Sequence, residues 1–329
     1  VIPARGAATP GPRIVCIGGG HGMAQVLRAV RGYAGSIDAV VTVSDDGGSS
    51  GRLAPELDIP PPGDIRRCLL ALTPADSPWR RLFEYRFAGA DVSGHSLGNL
   101  IIAALADIEA DFEGGLARAA RLLESIGSVI PAAPVHLRLA ATIDGRRVDG
   151  QHSITTSRGR ISALAVSPSG IEASPRALAA IGAADQIVLG PGSLYTSLIA
   201  TLIVPGIAAA ITASPATFVY VANLITQDGE TIGVDAAAHL AALRQLAGVR
   251  APDAIVAASG AVYAAPPLEP LRWDAAALEA QGIEFVLADV ADPDAPWPQH
   301  DPVRLGRVLA GLAIGRSEQP IHTTGGTPP

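Results

Sequence analysis

The chain has 329 residues, 48% of them apolar, with a formal net charge of −7 and few aromatics. That balance, without a basic stripe or stacking aromatics, argues against nucleic acid as a partner, and no apolar run approaches the roughly 18 to 20 residues that cross a bilayer. All 24 basic residues are arginine, which excludes a Walker lysine, a Schiff-base lysine and a lysine general base.

A chain of this size and apolar content can bury a large core, as one α/β domain or two smaller ones. The two cysteines, Cys16 in an expected strand and Cys68 in an expected helix, fit buried thiols in a reducing compartment, and no zinc spacing occurs. With no basic-then-apolar leader, a cytoplasmic location is expected. Residues 1–12, rich in Pro, Gly and Ala, and 317–329, ending in Thr, Gly and Pro, read as flexible tails, leaving residues 13–316 as a single α/β domain.

The first expected strand, Arg13 to Ile17, feeds Gly18-Gly19-Gly20-His21-Gly22, and a helix follows from Met23 to Val30. Strand, glycine loop and helix form the phosphate-binding arrangement of doubly wound folds, although Met23 stands where the dinucleotide fingerprint needs glycine. His21 reads equally as a phosphate contact or as an exposed loop residue. Val40 to Val43 reads as a buried strand. The loop after it holds Ser44, Asp45, Asp46, Gly47, Gly48, Ser49, Ser50, Gly51 and Arg52, and should present backbone N–H groups to an anion.

Pro60-Pro61-Pro62-Gly63 stiffens the approach to another helix, with Asp64 at its expected N-cap. Arg66 and Arg67 then fall in the first turn, where the helix dipole disfavours cations. An anion near Arg66 would offset that cost, so Arg66 is read as a ligand contact that folding does not need. Gly94-His95-Ser96-Leu97-Gly98 matches the G-x-S-x-G elbow of serine hydrolases. Residues 87–93 offer no apolar strand to carry such an elbow, so Gly94 to Asn99 is read instead as a helix start, with Asn99 toward the ligand.

Residues 128–168 look like a small β-rich insertion, with Asp144-Gly145 turning a hairpin between 135–142 and 147–154; His136, Arg138 and His152 on it receive no role. Asp185 to Leu189 resumes the main sheet. Gly190-Pro191-Gly192-Ser193 then opens a helix near Leu194, and Ser193, Tyr195, Thr196 and Ser197 suit either capping or phosphate and sugar contacts. Strand Thr217 to Ala222 delivers Asn223, Thr226 and Gln227 at its carboxyl end, where open parallel sheets hold ligands. A helix over 235–246, with His239 on its face, strands over 254–258 and 284–288, and a final helix from His300-Asp301-Pro302 to Leu312, with His300 and Asp301 as caps or else ligand contacts, complete the reading.

The stretches Ile17 to Gly20, Val43 to Arg52, Pro60 to Arg66, Gly94 to Asn99, Leu189 to Ser197 and Asn223 to Gln227 together resemble the YvcK-type gluconeogenesis factors, which are related to the 2-phospho-L-lactate transferases. The resemblance spans roughly residues 13 to 315. It implies a Rossmann-like α/β fold, a nucleotide ligand such as UDP-N-acetylglucosamine, and a role in cell shape and cell-wall supply during gluconeogenic growth. A binding or regulatory protein is the preferred expectation, with no catalytic residue and no metal assigned. The alternative, phospholactyl transfer to a deazaflavin, would need Mg²⁺ on Asp45, Asp46 or Asp64. Oligomeric state stays open, a homo-oligomer included.

Overall fold

A computed structural model describes residues 11–89, 92–260 and 262–314; the two expected tails lie outside them except for Gly11 and Pro12. Among the described residues ten strands form two sheets: β1 (Arg13–Gly18), β2 (Ser36–Val41), β3 (Ser128–Pro131), β4 (Arg138–Ile143), β5 (Arg146–Asp149), β6 (Ile161–Ser167), β7 (Gln186–Leu189), β8 (Thr217–Val221), β9 (Ala254–Ala258) and β10 (Glu284–Ala288). Seven run parallel in the order β10-β9-β8-β7-β1-β2-β3, and β5-β4-β6 make a small antiparallel sheet. This is a Rossmann-like α/β fold. From β1 the chain proceeds to one edge, then returns to β7 and proceeds to the other. The β1/β7 boundary is therefore the topological switch point, outside whose carboxyl ends such sheets open a crevice.

Alternation along the central strands explains why both sheet faces are covered. Val15, Ile17, Val40, Ile187, Leu189 and Ile255 pack into one apolar cluster; Ile14, Cys16, Ala39, Val41, Val188 and Val256 pack into the other. Fully burying a side chain of this size contributes roughly 1.5 to 3 kcal/mol. Both cysteines are buried free thiols. Among the described residues no single helix is long and apolar enough to cross a membrane.

Several boundaries differ from the sequence reading. β2 starts at Ser36 and stops at Val41, and the expected loop is helical over Gly48–Leu57. Ser128–Pro131 pairs parallel with β2, so it belongs to the main sheet and not to the insertion. The Asp144-Gly145 turn does join β4 and β5, both residues having positive φ (48° and 77°) as a tight hairpin turn requires. The second arm, however, ends at Asp149, and Gln151–Ser157 is a helix. His239 lies on the helix Ala236–Ala247 as expected, on its buried face, with both ring nitrogens unpartnered, and burial pushes its pKa down to about 4.

Residues 94–99 settle the serine-elbow motif. Arg86 and Phe87 pair antiparallel with Gly94 to Ser96 as the two arms of a hairpin, with Phe87 N donating to the His95 carbonyl and Gly94 N to that of Phe87. No strand leads into Ser96 among the described residues; Ala90 and Asp91 lie outside them. Ser96 is fully buried and caps the helix Leu97–Glu109, its Oγ accepting from Asn99 N at 3.2 Å.

Candidate functional site

Two cavities adjoin at the switch point, both lined by Gly20, Ser193 and Ser197. The larger, about 900 Å³, lies at the carboxyl ends of β1, β7 and β8. Its wall runs from Gly19 to Gly22, through Gly192, to Asn223 to Asp228, and is closed by Ala265 to Leu268 and Trp297 to His300. The smaller, about 300 Å³, is lined by three guanidinium groups (Arg66, Arg67, Arg86), two carboxylates (Asp45, Asp64), Gly47 to Ser50, Gly63, Asn99 and Gln151.

The first glycine loop is shaped by close contacts. A Cβ on Gly22 would overlap the Pro191 carbonyl oxygen, so the bare backbone lets the two glycine loops approach each other. Gly19 abuts Asp64 in the same way. Asp64 is not an N-cap as expected, because its helix begins at Pro62. It reaches across instead, accepting from Gly20 N at 2.8 Å and pairing with Arg67. That start also moves Arg66 out of the first turn, so the dipole argument for an anion beside it does not hold. What holds Arg66 is burial. It is 6% exposed, Nε donates to Asn99 Oδ1 at 2.9 Å and Nη1 to the Phe83 carbonyl at 3.2 Å, while Gly98 packs on its stem. Burial, then Arg67 and Arg86, lower its pKa to about 10.

The helix Gly48–Leu57 turns its N-terminus to the small cavity. Asp45 accepts from Gly47 N at 3.0 Å, and burial together with Asp64 holds its carboxyl above the usual range. Ser50 Oγ accepts from Gly63 N at 2.9 Å. Three expected contacts point elsewhere and line neither cavity. Ser44 pairs with Thr42, Asp46 accepts from His152 N at 2.9 Å, and Arg52 donates to the Ser93 carbonyl at 2.7 Å. In each case a nearer protein group satisfies the side chain.

The second glycine loop is held by the turn after β8. Asn223 grips the Gly192 peptide with both ends of its amide (3.0 and 2.9 Å), Gln227 Nε2 donates to Ser193 Oγ at 2.7 Å, and Thr226 Oγ accepts from Glu269 N at 2.9 Å. These residues line the large cavity, but much of their hydrogen-bonding capacity is spent on the protein. Glu230, which the sequence reading missed, is 7% exposed and accepts from Tyr195 N at 3.0 Å and from the Thr196 hydroxyl. Its carboxylate thus occupies the N-terminus of the π-helical turn Leu194–Ile199, the place expected to take phosphate. Tyr195 and Thr196, like Gly190, line neither cavity, whereas Gly192, Ser193 and Ser197 do. Burial raises the Glu230 pKa against the lowering effect of those bonds.

Arg86, Gln151 and Trp297 to Gln299 also escaped the sequence reading, while His300, read there with Asp301 as a cap or else a ligand contact, lines the large cavity. None of the missed residues carries a local signal, since a hairpin, an insertion and the approach to the last helix bring them in from a distance. His300 is 3% exposed with Nε2 unpartnered, and burial drives its pKa down to about 4. Asp301, beside it, caps the final helix through Val303 N and Arg304 N, both at 2.8 Å.

Comparison with known proteins extends these observations. A family model described as 2-phospho-L-lactate transferase CofD matches residues 14–291. The gluconeogenesis factor of Bacillus subtilis is 39% identical over 92% of this chain and 98% of its own length. That of Halalkalibacterium halodurans is 42% identical over 82% and 87%. An X-ray crystal structure of a Bacillus halodurans protein superposes with a TM-score of 0.87 at 37% identity, covering 91% of this chain and 99% of that one. Fold, loop order and these relatives agree: the chain belongs to the CofD-like family, among the gluconeogenesis factors of the YvcK type.

Proposed function

We propose that the chain binds a nucleotide sugar such as UDP-N-acetylglucosamine, its diphosphate in the small cavity and its nucleoside in the large one, and serves cell-wall supply and cell shape during gluconeogenic growth as a regulatory protein. The observation that carries this reading is the pairing of the two cavities. Three guanidinium groups beside a helix N-terminus suit a diphosphate. The adjoining space, mostly apolar with a few amides and hydroxyls at Gly20, Ser193 and Ser197, suits a ring system anchored by polar contacts. With Glu230 occupying the other helix N-terminus, the arginine side is the better anion site. The names of the relatives, gluconeogenesis factors, support the gluconeogenic setting alone.

Phospholactyl transfer is the second reading, and one observation favours it. Asp45 and Asp64 face the same small cavity, and two carboxylates beside phosphate oxygens are a donor set that Mg²⁺ accepts. Asp46, turned toward His152 N, would not join them. Calorimetric titration with UDP-N-acetylglucosamine, GDP and NAD, with and without Mg²⁺, tests both readings. Saturable binding of the UDP-sugar, recovered intact, is expected. Release of UDP at enzymatic rates, or of GMP from a guanylylated phospholactate in the presence of a deazaflavin, would replace the regulatory reading with a transferase.

A further inference from the structure

A chain of four buried polar side chains runs from the small cavity to His95, which has no part in the reading above. Arg66 Nε donates to Asn99 Oδ1 at 2.9 Å, Asn99 Nδ2 donates to Ser49 Oγ at 3.0 Å, and Ser49 Oγ lies 3.0 Å from His95 Nδ1. None of the four is more than 8% exposed. Chemistry at one end sets the direction of the first two bonds. A guanidinium carries donors only, so Asn99 must turn its oxygen to Arg66 and its NH₂ to Ser49. The Ser49 hydroxyl keeps one proton and a second acceptor lone pair, so its bond to His95 Nδ1 runs either way with the histidine tautomer; in the direction that continues the chain, Ser49 donates to an unprotonated Nδ1.

We propose that His95 is a positioning residue for the anion site, acting through Ser49 and Asn99 to hold the Arg66 guanidinium in the small cavity. A second proton on His95 would remove the acceptor for the Ser49 hydroxyl. Nδ1–H would then donate to Ser49 Oγ beside Asn99 Nδ2, turning the hydroxyl proton away and placing a charge next to the chain that holds Arg66. The charged groups facing His95 are Arg52 and Glu56, both from the helix Gly48–Leu57. Arg86, on the hairpin of His95 itself, is engaged with the Gly94 carbonyl at 2.8 Å, and Arg66 is reached through the chain. Burial, then Arg52, lowers the His95 pKa and so favours the neutral ring that the chain requires.

The inference rests on the nucleotide-sugar reading for its ligand, so the test has an arm that needs none. Titrations of UDP-N-acetylglucosamine into wild type, His95→Ala and His95→Gln would run from about pH 5 to about pH 8, beside ¹⁵N spectra of the arginine Nε–H groups in the unliganded proteins. His95→Ala should weaken binding about tenfold at neutral pH. Glutamine, whose Oε1 can take the Ser49 proton, should recover affinity to within about threefold. Wild type should lose affinity as pH falls below about 6.5, and His95→Gln should not. In the unliganded spectra the Arg66 Nε–H should exchange faster in His95→Ala than in wild type. An unchanged Arg66 signal in His95→Ala, or equal losses in the alanine and glutamine variants, would overturn the proposal. Failure of wild type to bind the UDP-sugar, with the Arg66 signal altered in His95→Ala, would reject the ligand and leave the positioning role standing.

Discussion

Arg66→Ala separates an anion-binding arginine from a structural one. In the unliganded protein it removes two hydrogen bonds and leaves Asn99 Oδ1 and the Phe83 carbonyl without that donor, a loss of about 1 to 3 kcal/mol for each. Against this stands the cost of the buried charge. Lowering the guanidinium pKa from its ordinary value to about 10 corresponds to about 3 kcal/mol, at about 1.4 kcal/mol per pH unit. Both values lie far above neutrality, so the group is charged in the native and unfolded chains alike and the penalty is present in full at neutral pH. The two effects partly cancel, and unliganded stability should change by no more than about 3 kcal/mol, several degrees in Tm. Binding has no such compensation. A charge-assisted bond to phosphate contributes about 1.5 to 3 kcal/mol, so affinity for the UDP-sugar should fall about tenfold to a hundredfold. Arg66→Lys should recover only part, since an ammonium lacks the planar fork. Calorimetry beside thermal unfolding checks both numbers. Wild-type affinity in Arg66→Ala, with a melting point lowered by more than about 10 °C, would refute the reasoning.

Ser96 should resist a fluorophosphonate probe, and Ser96→Ala should cost about 0.5 to 2 kcal/mol in denaturant unfolding, because the side chain caps a helix; stoichiometric labelling lost in that variant would restore a hydrolase. Glu230→Gln tests the buried carboxylate by pH. A native pKa raised above the unfolded value means the native state holds more protons, so stability falls as pH rises from about 4.5 through the native value. The glutamine variant should lack that component, and its stability relative to wild type should grow with pH across the interval, measured by urea unfolding. Glu230→Ala should lose about 1 to 3 kcal/mol, because the N–H groups of Tyr195 and Thr196 are left without an acceptor. Gly22→Ala should separate the two glycine loops, lowering Tm and UDP-sugar affinity together; wild-type values for both would show that the loops can part freely.

Much of this protein is determined locally. The strands at 13–18, 186–189, 217–221, 254–258 and 284–288 were legible because short Val- and Ile-rich runs between glycine or polar breaks have few alternatives to a covered parallel strand. The glycine loops were legible for the same reason: Gly18 to Gly22 and Gly190 to Ser193 follow strands and precede helical segments in the chain itself. The Asp144-Gly145 turn likewise needs only its two residues.

What each polar group does with its hydrogen bonds is not local. Asp64 lies inside a helix that begins at Pro62, and its carboxylate bonds to Gly20 N, 44 positions away in the chain but 2.8 Å away in space. Arg66 and Asn99, read as two ligand contacts, are bonded to each other, and Ser49 links them to a histidine the motif gave no reason to choose. Glu230 takes the helix N-terminus that a phosphate was expected to fill. A carboxylate, an amide or a guanidinium bonds to whatever donor or acceptor folding brings within about 3 Å. Sequence therefore determined the glycine loops and part of the polar set at the switch point, and the tertiary structure added Arg86, Gln151 and Glu230 and decided which groups satisfy one another and which line the cavities.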